Sequence, residues 1–303
     1  MDITVVGAGV IGLTTALTLE ERGHTVRIVA AATGEATTSA VAGAIWFPYK
    51  CGPAAKVPAW AVRTRAWLES LAGDPEAGID VLTGYEISRD DEPPWWAAGI
   101  AVERVPAPVT GAPMAWRYTA PRVEPARFLP WLARRIRAPV EQRTVADLAA
   151  EPGDAVINCS GLGARTLAED PAVSGLLGQI AIALPGGVDR GVTITDDRDP
   201  DAIFYVIPRR DELVLGGCAI PATEIALDPD RTARILAQAR ALGLPVGTIR
   251  LERAGLRPYR AEVRLERDPL VPRIVHSYGH GGAGFTLSRG CAEDVAQILM
   301  TWP

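Results

Sequence analysis

The apolar and polar positions at the start of the chain follow a strand–helix–strand order. A short apolar strand over residues 2–6 runs into a glycine-rich turn, and a helix then continues to Arg22, with Gly23 at its end. A second apolar run, from Thr25 to Ala30, predicts a parallel strand beside the first. The pattern therefore predicts a βαβ unit and an α/β fold.

Helical and alternating spacing predicts further elements along the chain. Helices are expected over 58–71, 124–138, 228–242 and 287–300, a buried strand over 155–161, and a hairpin that joins 203–208 to 212–218. The tract 73–122 is rich in proline and tryptophan, with the pair Trp95 and Trp96 at its centre. This change in composition indicates a second domain or an insertion, and the tryptophan pair is expected in its core.

The composition is that of a globular protein with a large core: 303 residues, 48% hydrophobic and 22% charged. A net charge of -5 without a basic stripe argues against a nucleic-acid partner. No apolar run reaches the roughly 18 residues of a membrane-spanning helix, so no membrane association is expected. The N-terminal run lacks the charged segment and cleavage site of a secretory signal, so we expect a cytoplasmic protein.

The cysteines predict neither a metal site nor a disulfide framework. Cys51, Cys159, Cys218 and Cys291 are widely separated and form no CxxC pair, so we expect reduced and mostly buried thiols and no bound metal. One disulfide between two of them stays open.

The glycine pattern GxGxxG indicates a dinucleotide site because it lies between a predicted strand and a predicted helix. Its residues are Gly7, Ala8, Gly9, Val10, Ile11 and Gly12. The acidic residue that would end the second strand and bind the ribose is replaced by the run Ala30–Ala32. Either backbone, water or Glu35 binds the ribose, or the cofactor binds more weakly than usual.

A second glycine-rich segment, residues 275–286, precedes the last predicted helix. Four glycines within six residues suit a close backbone approach or positive φ angles. A glycine turn that opens a helix presents free N–H groups and the positive end of the helix dipole to a ligand. Together the two turns suggest one long cofactor bound at two places.

Several motifs occur in the order found in one family of flavoenzymes. They are Gly7–Leu17, Thr37–Ser39 followed by Ala42–Tyr49, Asn158–Gly161, Phe204–Pro208, Gly255–Pro258 and Tyr278–Gly282. The chain resembles the D-amino-acid oxidases from residue 3 to about 295. The combination of the GLRP and YGHGG motifs makes the resemblance specific.

The resemblance implies bound FAD, with the adenine near the first glycine turn and the flavin near the second. It implies a Rossmann-like FAD-binding domain interleaved with a mixed-sheet α+β substrate-binding domain. The expected segments are 1–48, 126–178 and 265–303 for FAD, and 49–125 and 179–264 for substrate. Besides the first glycine turn, the expected FAD contacts are Thr37, Thr38, Gly43, Ala44, Ile45, Val145, Ser160, Gly161, Gly281, Gly282, Ala283, Gly284, Phe285 and Thr286.

The resemblance also implies roles for three residues at the substrate. Arg257 matches the arginine that binds the α-carboxylate, and Tyr205 matches the tyrosine whose hydroxyl shares that carboxylate. The carbonyl of Gly282 matches the acceptor for the substrate amine. The chain is poor in conventional catalysts, which fits a reaction in which the cofactor does the chemistry while the protein orients the substrate.

Two departures from the family pattern bear on the substrate. The lid tyrosine of the animal oxidases is Asp201 here, so a lid contact with substrate is in doubt. The D-aspartate-preferring branch has an arginine two residues after the Gly216–Gly217 pair, where this chain has Ala219. Because that cation is missing, we expect a neutral or apolar side chain on the substrate.

The expected function is oxidative deamination of neutral D-amino acids, with O₂ reduced to hydrogen peroxide. A D-aspartate oxidase and a glycine or sarcosine oxidase are the nearest alternatives, and an NAD-dependent dehydrogenase is a remote one. The expected partners are a D-amino acid and O₂, and the family is compatible with a homodimer.

Overall fold

The structure of the protein is a computed structural model that describes residues 1–199 and 203–301. Within these residues the helices are α1 (Val10–Glu21), α2 (Thr38–Val41), α3 (Val57–Leu71), α4 (Pro125–Arg135), α5 (Ala164–Leu167), α6 (Pro229–Ala241) and α7 (Gly284–Met300). The strands are β1 (Asp2–Val6), β2 (Thr25–Ala30), β3 (Ile79–Ile87), β4 (Glu103–Pro106), β5 (Met114–Val123), β6 (Val140–Gln142), β7 (Ala155–Asn158), β8 (Ser174–Ala183), β9 (Val192–Asp196), β10 (Phe204–Pro208), β11 (Leu213–Gly216), β12 (Ile220–Pro221), β13 (Ile249–Arg267) and β14 (Ile274–His280). The mixed α/β fold confirms the predicted fold class.

The chain divides into two compact units. Unit 1 comprises Met1–Ile79, Val123–Gly175 and Arg257–Pro303, and unit 2 comprises Asp80–Arg122 and Leu176–Leu256. The predicted FAD-binding and substrate-binding segments stay a prediction; residues 49–79 lie in unit 1. They do so because α3 packs against α7. Which unit binds FAD and which binds substrate stays a prediction.

Unit 1 is built on a parallel sheet in the strand order β14-β7-β1-β2-β6. The pairing of β1 with β2, joined by α1, confirms the predicted βαβ unit. α1 packs against α7 on this sheet, and the core between them is apolar, with Val5, Leu19, Ile28 and Val295 all buried. The carboxyl ends of β1 and β7 therefore lie side by side, which is where α/β proteins bind ligands.

Unit 2 contains a mixed sheet in the order β4-β5-β3-β9-β10-β11-β8. β3 runs parallel to β9, whereas β10 is antiparallel to both of its neighbours. The antiparallel pair β10–β11 confirms the predicted hairpin. α6 begins as predicted, because the Asp228 side chain accepts a hydrogen bond from the Asp230 N–H and so caps the helix.

Several element boundaries differ from the sequence prediction. α7 begins at Gly284, three residues before the predicted start, with the Leu287 N–H donating to the Ala283 carbonyl. α4 ends at Arg135 because Ile136 adopts extended dihedral angles. The 19-residue strand β13 was not predicted. Of the tryptophan pair, Trp96 is buried as expected but Trp95 is 50% exposed.

Among residues 1–199 and 203–301, no helix combines the length and the apolar character needed to cross a bilayer.

A buried carboxyl group lies in the sheet of unit 2. Glu86 on β3 is 4% exposed, and burial raises its pKa to about 8, an effect to which the nearby carboxylates of Asp197 and Asp90 add. A hydrogen bond from Trp96 opposes this rise. The buried phenol of Tyr118 is the other titratable group beside it. Glu86 is therefore protonated in the folded protein at neutral pH, although it would ionise in the unfolded chain.

This carboxyl group should make the stability of the protein depend on pH. Because its folded-state pKa lies above the ordinary value of 4.5, its full contribution is present below that value and is lost as the pH rises toward about 8. Glu86→Gln cannot ionise, so at about pH 8 its free energy of unfolding should exceed that of the wild type by on the order of a few kcal/mol. Its unfolding midpoint should be higher accordingly.

Thermal unfolding at about pH 5 and at about pH 8 measures the difference. Glu92→Gln, at an exposed carboxylate nearby, is the matched control and should follow the wild type at both values. A difference between Glu86→Gln and wild type that does not grow with pH would contradict the assignment.

Candidate functional site

The first glycine turn brings three stretches of backbone together. Gly7 has a φ angle of +119°, and a Cβ there would overlap the Cys159 carbonyl oxygen and lie 3.3 Å from the Ser160 nitrogen. A Cβ on Gly12 would in turn overlap the carbonyl oxygen of Gly7. Only glycine fits at these two positions. The turn is thereby pressed against the carboxyl end of β7.

The N-terminus of α1 opens directly from this turn. Gly9 is its N-cap, and the Val10 N–H donates to the Ser39 hydroxyl at 3.0 Å. The Gly7 N–H donates to the Val29 carbonyl at 2.8 Å, which ties the turn to β2. The 12-residue helix therefore directs its positive dipole end at the turn, as a pyrophosphate site requires.

Ser39 was not among the predicted site residues. The only sequence signal for it was its place in the Thr37–Ser39 motif. Its hydroxyl supports the turn from α2, 29 residues away along the chain. Thr37 uses its own hydroxyl to donate to the Gly34 carbonyl at 2.8 Å, and Ala44 has a φ angle of 59°. The segment 37–45 thus contains the short helix α2 and is joined to the start of α1 by the Ser39 hydroxyl.

The role of Val145 as a cofactor contact stays a prediction. Its side chain is 7% exposed and packs in an apolar cluster with Val6 and Val29. Val6 and Val29 belong to β1 and β2, so Val145 lies against the same two strands that carry the glycine turn.

The second glycine segment lies against the first. A Cβ on Gly284, the first residue of α7, would lie 3.5 Å from the Val10 side chain at the start of α1. The helices α1 and α7 pack against each other, and their N-termini therefore meet at this point. Two helix ends with positive dipoles at one place favour a ligand with negative charge.

The side chain of Thr286 is engaged by the protein itself. Its hydroxyl accepts a hydrogen bond from the Phe47 N–H at 3.1 Å and donates to the Phe47 carbonyl at 3.0 Å. The residue is 1% exposed. A ligand at the start of α7 would therefore meet the backbone N–H groups of Gly284, Phe285 and Thr286, and not this hydroxyl. The same bonds hold the segment around Phe47 against α7.

Two of the predicted substrate residues lie around one aromatic ring. The Arg257 guanidinium carbon is 6.0 Å from the centroid of the Tyr49 ring. A Cβ on Gly282 would lie 2.6 Å from Cδ1 of the same ring. Gly281 has a φ angle of +54° and donates its N–H to the Pro258 carbonyl at 2.9 Å, which fixes the turn beside Arg257. Tyr49 was quoted in a sequence motif but was not predicted as a site residue.

The third predicted substrate residue, Tyr205, belongs to unit 2. It lies on β10, where it pairs with Thr195 on one side and Gly216 on the other. Its ring packs on bare backbone, since a Cβ on Gly216 would overlap the ring and one on Gly217 would lie 2.8 Å from it. The Gly-Gly pair is thus explained by the tyrosine that it supports. The predicted lid position, Asp201, lies outside the described residues.

Neither histidine of the second glycine segment is charged at neutral pH. His280 is 2% exposed, and burial lowers its pKa to about 3. Burial also lowers the pKa of His276, against the opposing effect of a hydrogen bond to Asp268. Cys51, Cys159, Cys218 and Cys291 are free thiols, and burial raises the pKa of Cys51 and of Cys159 to about 12. These groups offer no ready base or nucleophile.

The residues of unit 1 fit a dinucleotide such as FAD. Gly7 and Gly12 form a cradle that any side chain would fill. Beside it, α1 and α7 bring their N-termini together, so that backbone N–H groups can bind an extended, negatively charged cofactor. The predicted contacts Gly7–Gly12, Ser160, Gly161 and Gly281–Thr286 all belong to this unit.

Comparisons with known proteins agree with this fit. The FAD dependent oxidoreductase family matches residues 2–298. The D-amino-acid oxidase of Rubrobacter xylanophilus is 40% identical over 312 residues, which cover 97% of this chain and 94% of that protein. The D-amino-acid oxidase of Streptomyces coelicolor is 39% identical, covering 98% of this chain and 96% of that protein.

A solved structure shows the same fold. Glycine oxidase from Geobacillus kaustophilus superposes with a TM-score of 0.83 at 18% identity, covering 100% of this chain and 95% of its own. At this identity the likeness extends to the fold alone.

The glycine cradle makes a prediction about cofactor binding. In Gly12→Ala the new methyl group would overlap the Gly7 carbonyl, so the turn must shift and affinity for FAD should fall by at least about tenfold. Flavin fluorescence quenching on the apoprotein measures the dissociation constant. Gly73→Ala, where a Cβ meets nothing within 4 Å, is the control and should bind FAD normally. Equal affinities for the two variants would argue against the cradle.

Proposed function

Since the chain belongs to the family of FAD dependent oxidoreductases, we propose that it oxidises neutral D-amino acids. The substrate gives an imino acid that hydrolyses to the 2-oxo acid and ammonia, and O₂ is reduced to hydrogen peroxide. The observation that carries this proposal is the convergence of Arg257 and Gly282 on the ring of Tyr49. Arg257 provides a cation for the carboxylate of an α-amino acid, and Gly282 provides a backbone carbonyl for its amine.

Arg257 is proposed to bind the substrate carboxylate. A guanidinium group matches a carboxylate with two parallel hydrogen bonds, which a lysine could not reproduce. The guanidinium carbon lies 6.0 Å from the centroid of the Tyr49 ring, within reach of a cation–π interaction. The second carboxylate contact, from the Tyr205 hydroxyl, stays a prediction from the resemblance.

The carbonyl of Gly282 is proposed to accept a hydrogen bond from the substrate amine. Glycine is required at this position because the Tyr49 ring lies where a Cβ would be. FAD bound in unit 1 would supply the redox chemistry, as the acceptor of a hydride from the substrate Cα and the donor of two electrons to O₂. No side-chain base is needed if the amine binds in its neutral form. This agrees with His276 and His280, whose pKa values are lowered by burial, so that both are weak proton acceptors.

The remaining contribution of the protein is position and fixed charge. Holding the substrate in one orientation can lower the barrier by on the order of 7–11 kcal/mol. The N–H groups at the start of α7 stabilise the negative charge that the cofactor gains on reduction, and they need no reorientation to do so.

We propose a neutral side chain on the substrate because unit 2 has no arginine at the position two residues after Gly217. After Gly217 come Cys218, which is buried and donates to the Leu177 carbonyl at 3.5 Å, and Ala219, which is half-buried. Arg198 carries a charge in this unit, but its guanidinium makes two hydrogen bonds to the Asp196 carboxylate, at 2.9 and 2.7 Å. An acidic substrate would thus lack a dedicated cation there. A cytoplasmic location and a homodimer stay predictions.

Arg257→Leu tests the role of the arginine. Loss of the charged hydrogen bonds should lower kcat/KM for neutral D-amino acids by about a hundredfold or more. FAD should remain bound, because the cradle is untouched. A peroxide assay and the flavin absorbance measure the two properties. Arg253→Leu, an exposed arginine on the same strand, is the matched control and should keep normal activity. Near-normal turnover by Arg257→Leu would refute the assignment.

The substrate preference is tested by turnover of D-alanine, D-valine, D-aspartate, glycine and sarcosine, with L-alanine, L-valine and L-aspartate for comparison. We expect peroxide from the neutral D-amino acids and little from D-aspartate, because Ala219 stands where the D-aspartate-preferring branch has an arginine. D-aspartate as the best substrate would favour the D-aspartate oxidase alternative. Glycine or sarcosine as the best substrate would favour the glycine-type alternative.

A further inference from the structure

A chain of buried hydrogen bonds runs from the surface of unit 1 to the glycine cradle. Nε2 of His276 lies 2.9 Å from the Asp268 carboxylate, and its Nδ1 lies 3.3 Å from the Asn158 side-chain nitrogen. Oδ1 of Asn158 accepts hydrogen bonds from the Ser160 hydroxyl at 2.6 Å and from the Ser160 N–H at 3.2 Å. Asn158 and His276 are 0% and 1% exposed.

The sheet register explains why these side chains meet. His276 on β14 pairs directly with Asn158 on β7, so the two side chains project from the same face of the sheet. Ser160 follows two residues after Asn158, and its backbone nitrogen adjoins Gly7 of the cradle. The chain therefore ends at the proposed cofactor site.

The direction of each hydrogen bond in this chain follows from the ionisation state of Asp268. Burial alone would raise the pKa of Asp268, but hydrogen bonds from His276 and from the N–H groups of Val271 and Leu270 outweigh it and lower this pKa. The Asp268 carboxylate is therefore ionised and only accepts, so the proton of His276 is on Nε2. Because His276 is neutral, its Nδ1 accepts from the Asn158 amide nitrogen.

The orientation of Asn158 is fixed as a consequence. With its amide nitrogen turned to His276, only its oxygen can face Ser160, and this oxygen receives both hydrogens that Ser160 can donate. The Ser160 hydroxyl then has lone pairs, and no proton, to offer on its other side. Its partner in the cofactor site must be a hydrogen-bond donor.

We propose that Asp268, His276 and Asn158 are positioning residues that make Ser160 a hydrogen-bond acceptor for one hydroxyl group of bound FAD. A phosphate oxygen at neutral pH only accepts, so it cannot pair with a hydroxyl whose proton is already engaged. The ribityl and ribose parts of the cofactor carry hydroxyl groups that can donate. The inference rests on FAD binding by this family and is independent of the proposed substrate.

The test is a double-mutant cycle between the protein and the cofactor. The full-length apoproteins of wild type and Ser160→Ala are titrated with FAD and with FAD analogues that each lack one ribityl or ribose hydroxyl. Quenching of flavin fluorescence gives the dissociation constants. In the wild type, removal of the hydroxyl that donates to Ser160 should weaken binding about tenfold. In Ser160→Ala the same analogue should bind as well as FAD does.

Two results would overturn the proposal. If Ser160→Ala binds FAD as tightly as the wild type, Ser160 makes no contact that matters. If it binds every analogue more weakly by one common factor, no hydroxyl is coupled to Ser160 and the serine interacts with another group. Because the readout is affinity, a failure of the proposed amino-acid substrate would not affect either result.

A second variant tests the positioning residues. His276→Gln keeps a donor toward Asp268 but removes the acceptor at the Nδ1 position, so Asn158 is free to turn and the coupling should decrease. Ser160→Thr keeps the hydroxyl and should keep the coupling, which makes it the conservative control. Unchanged coupling in His276→Gln, with a normal unfolding midpoint, would show that the chain does not orient Ser160. If His276→Gln fails to fold, the Ser160→Ala cycle decides alone.

Discussion

The contact of backbone with backbone at Gly7 determines where the rest of unit 1 can lie. The turn after β1 rests on the carbonyl of Cys159, and the first turn of α1 rests on the carbonyl of Gly7. A single methyl group at either place would separate strand, helix and the end of β7. Because no side chain separates the backbones here, one edge of the sheet holds the start of α1, Ser160 and the start of α7.

The second glycine segment depends on the same constraint. Gly281 and Gly282 pack against the backbone of Lys50 and Tyr49, and the hydroxyl of Thr286 joins α7 to Phe47. The residues around Tyr49 are thus held between the carboxyl edge of the sheet and the start of α7. This position explains how a loop without regular structure can hold the Tyr49 ring close to Arg257.

Local patterns made the βαβ unit and the β10–β11 hairpin predictable, because strand alternation, caps and glycine stops act within a few residues. β13 escaped prediction because its 19 residues are mostly half-buried, and its pairing with β14 shifts register between Tyr259 and Arg264, which removes a clean alternation. The roles of Ser39 and His276 were also missed. Each depends on a partner far away in sequence, 29 residues for Ser39 and 118 for His276, which only the folded chain brings close.

The predicted cofactor contacts offer mainly backbone N–H groups, and the Ser160 hydroxyl is the one side-chain acceptor proposed beside them. The hydroxyls of Thr37 and Thr286 donate to backbone carbonyls, and that of Ser160 donates to Asn158. The run Ala30–Ala32, where an acidic residue was expected, fits this arrangement. Peptide N–H groups do not ionise, and the titratable groups beside them, His280 with a pKa of about 3 and Cys159 with a pKa of about 12, stay uncharged across the neutral range. His280 and Cys159 therefore add no charge that varies with pH in the neutral range beside these N–H groups.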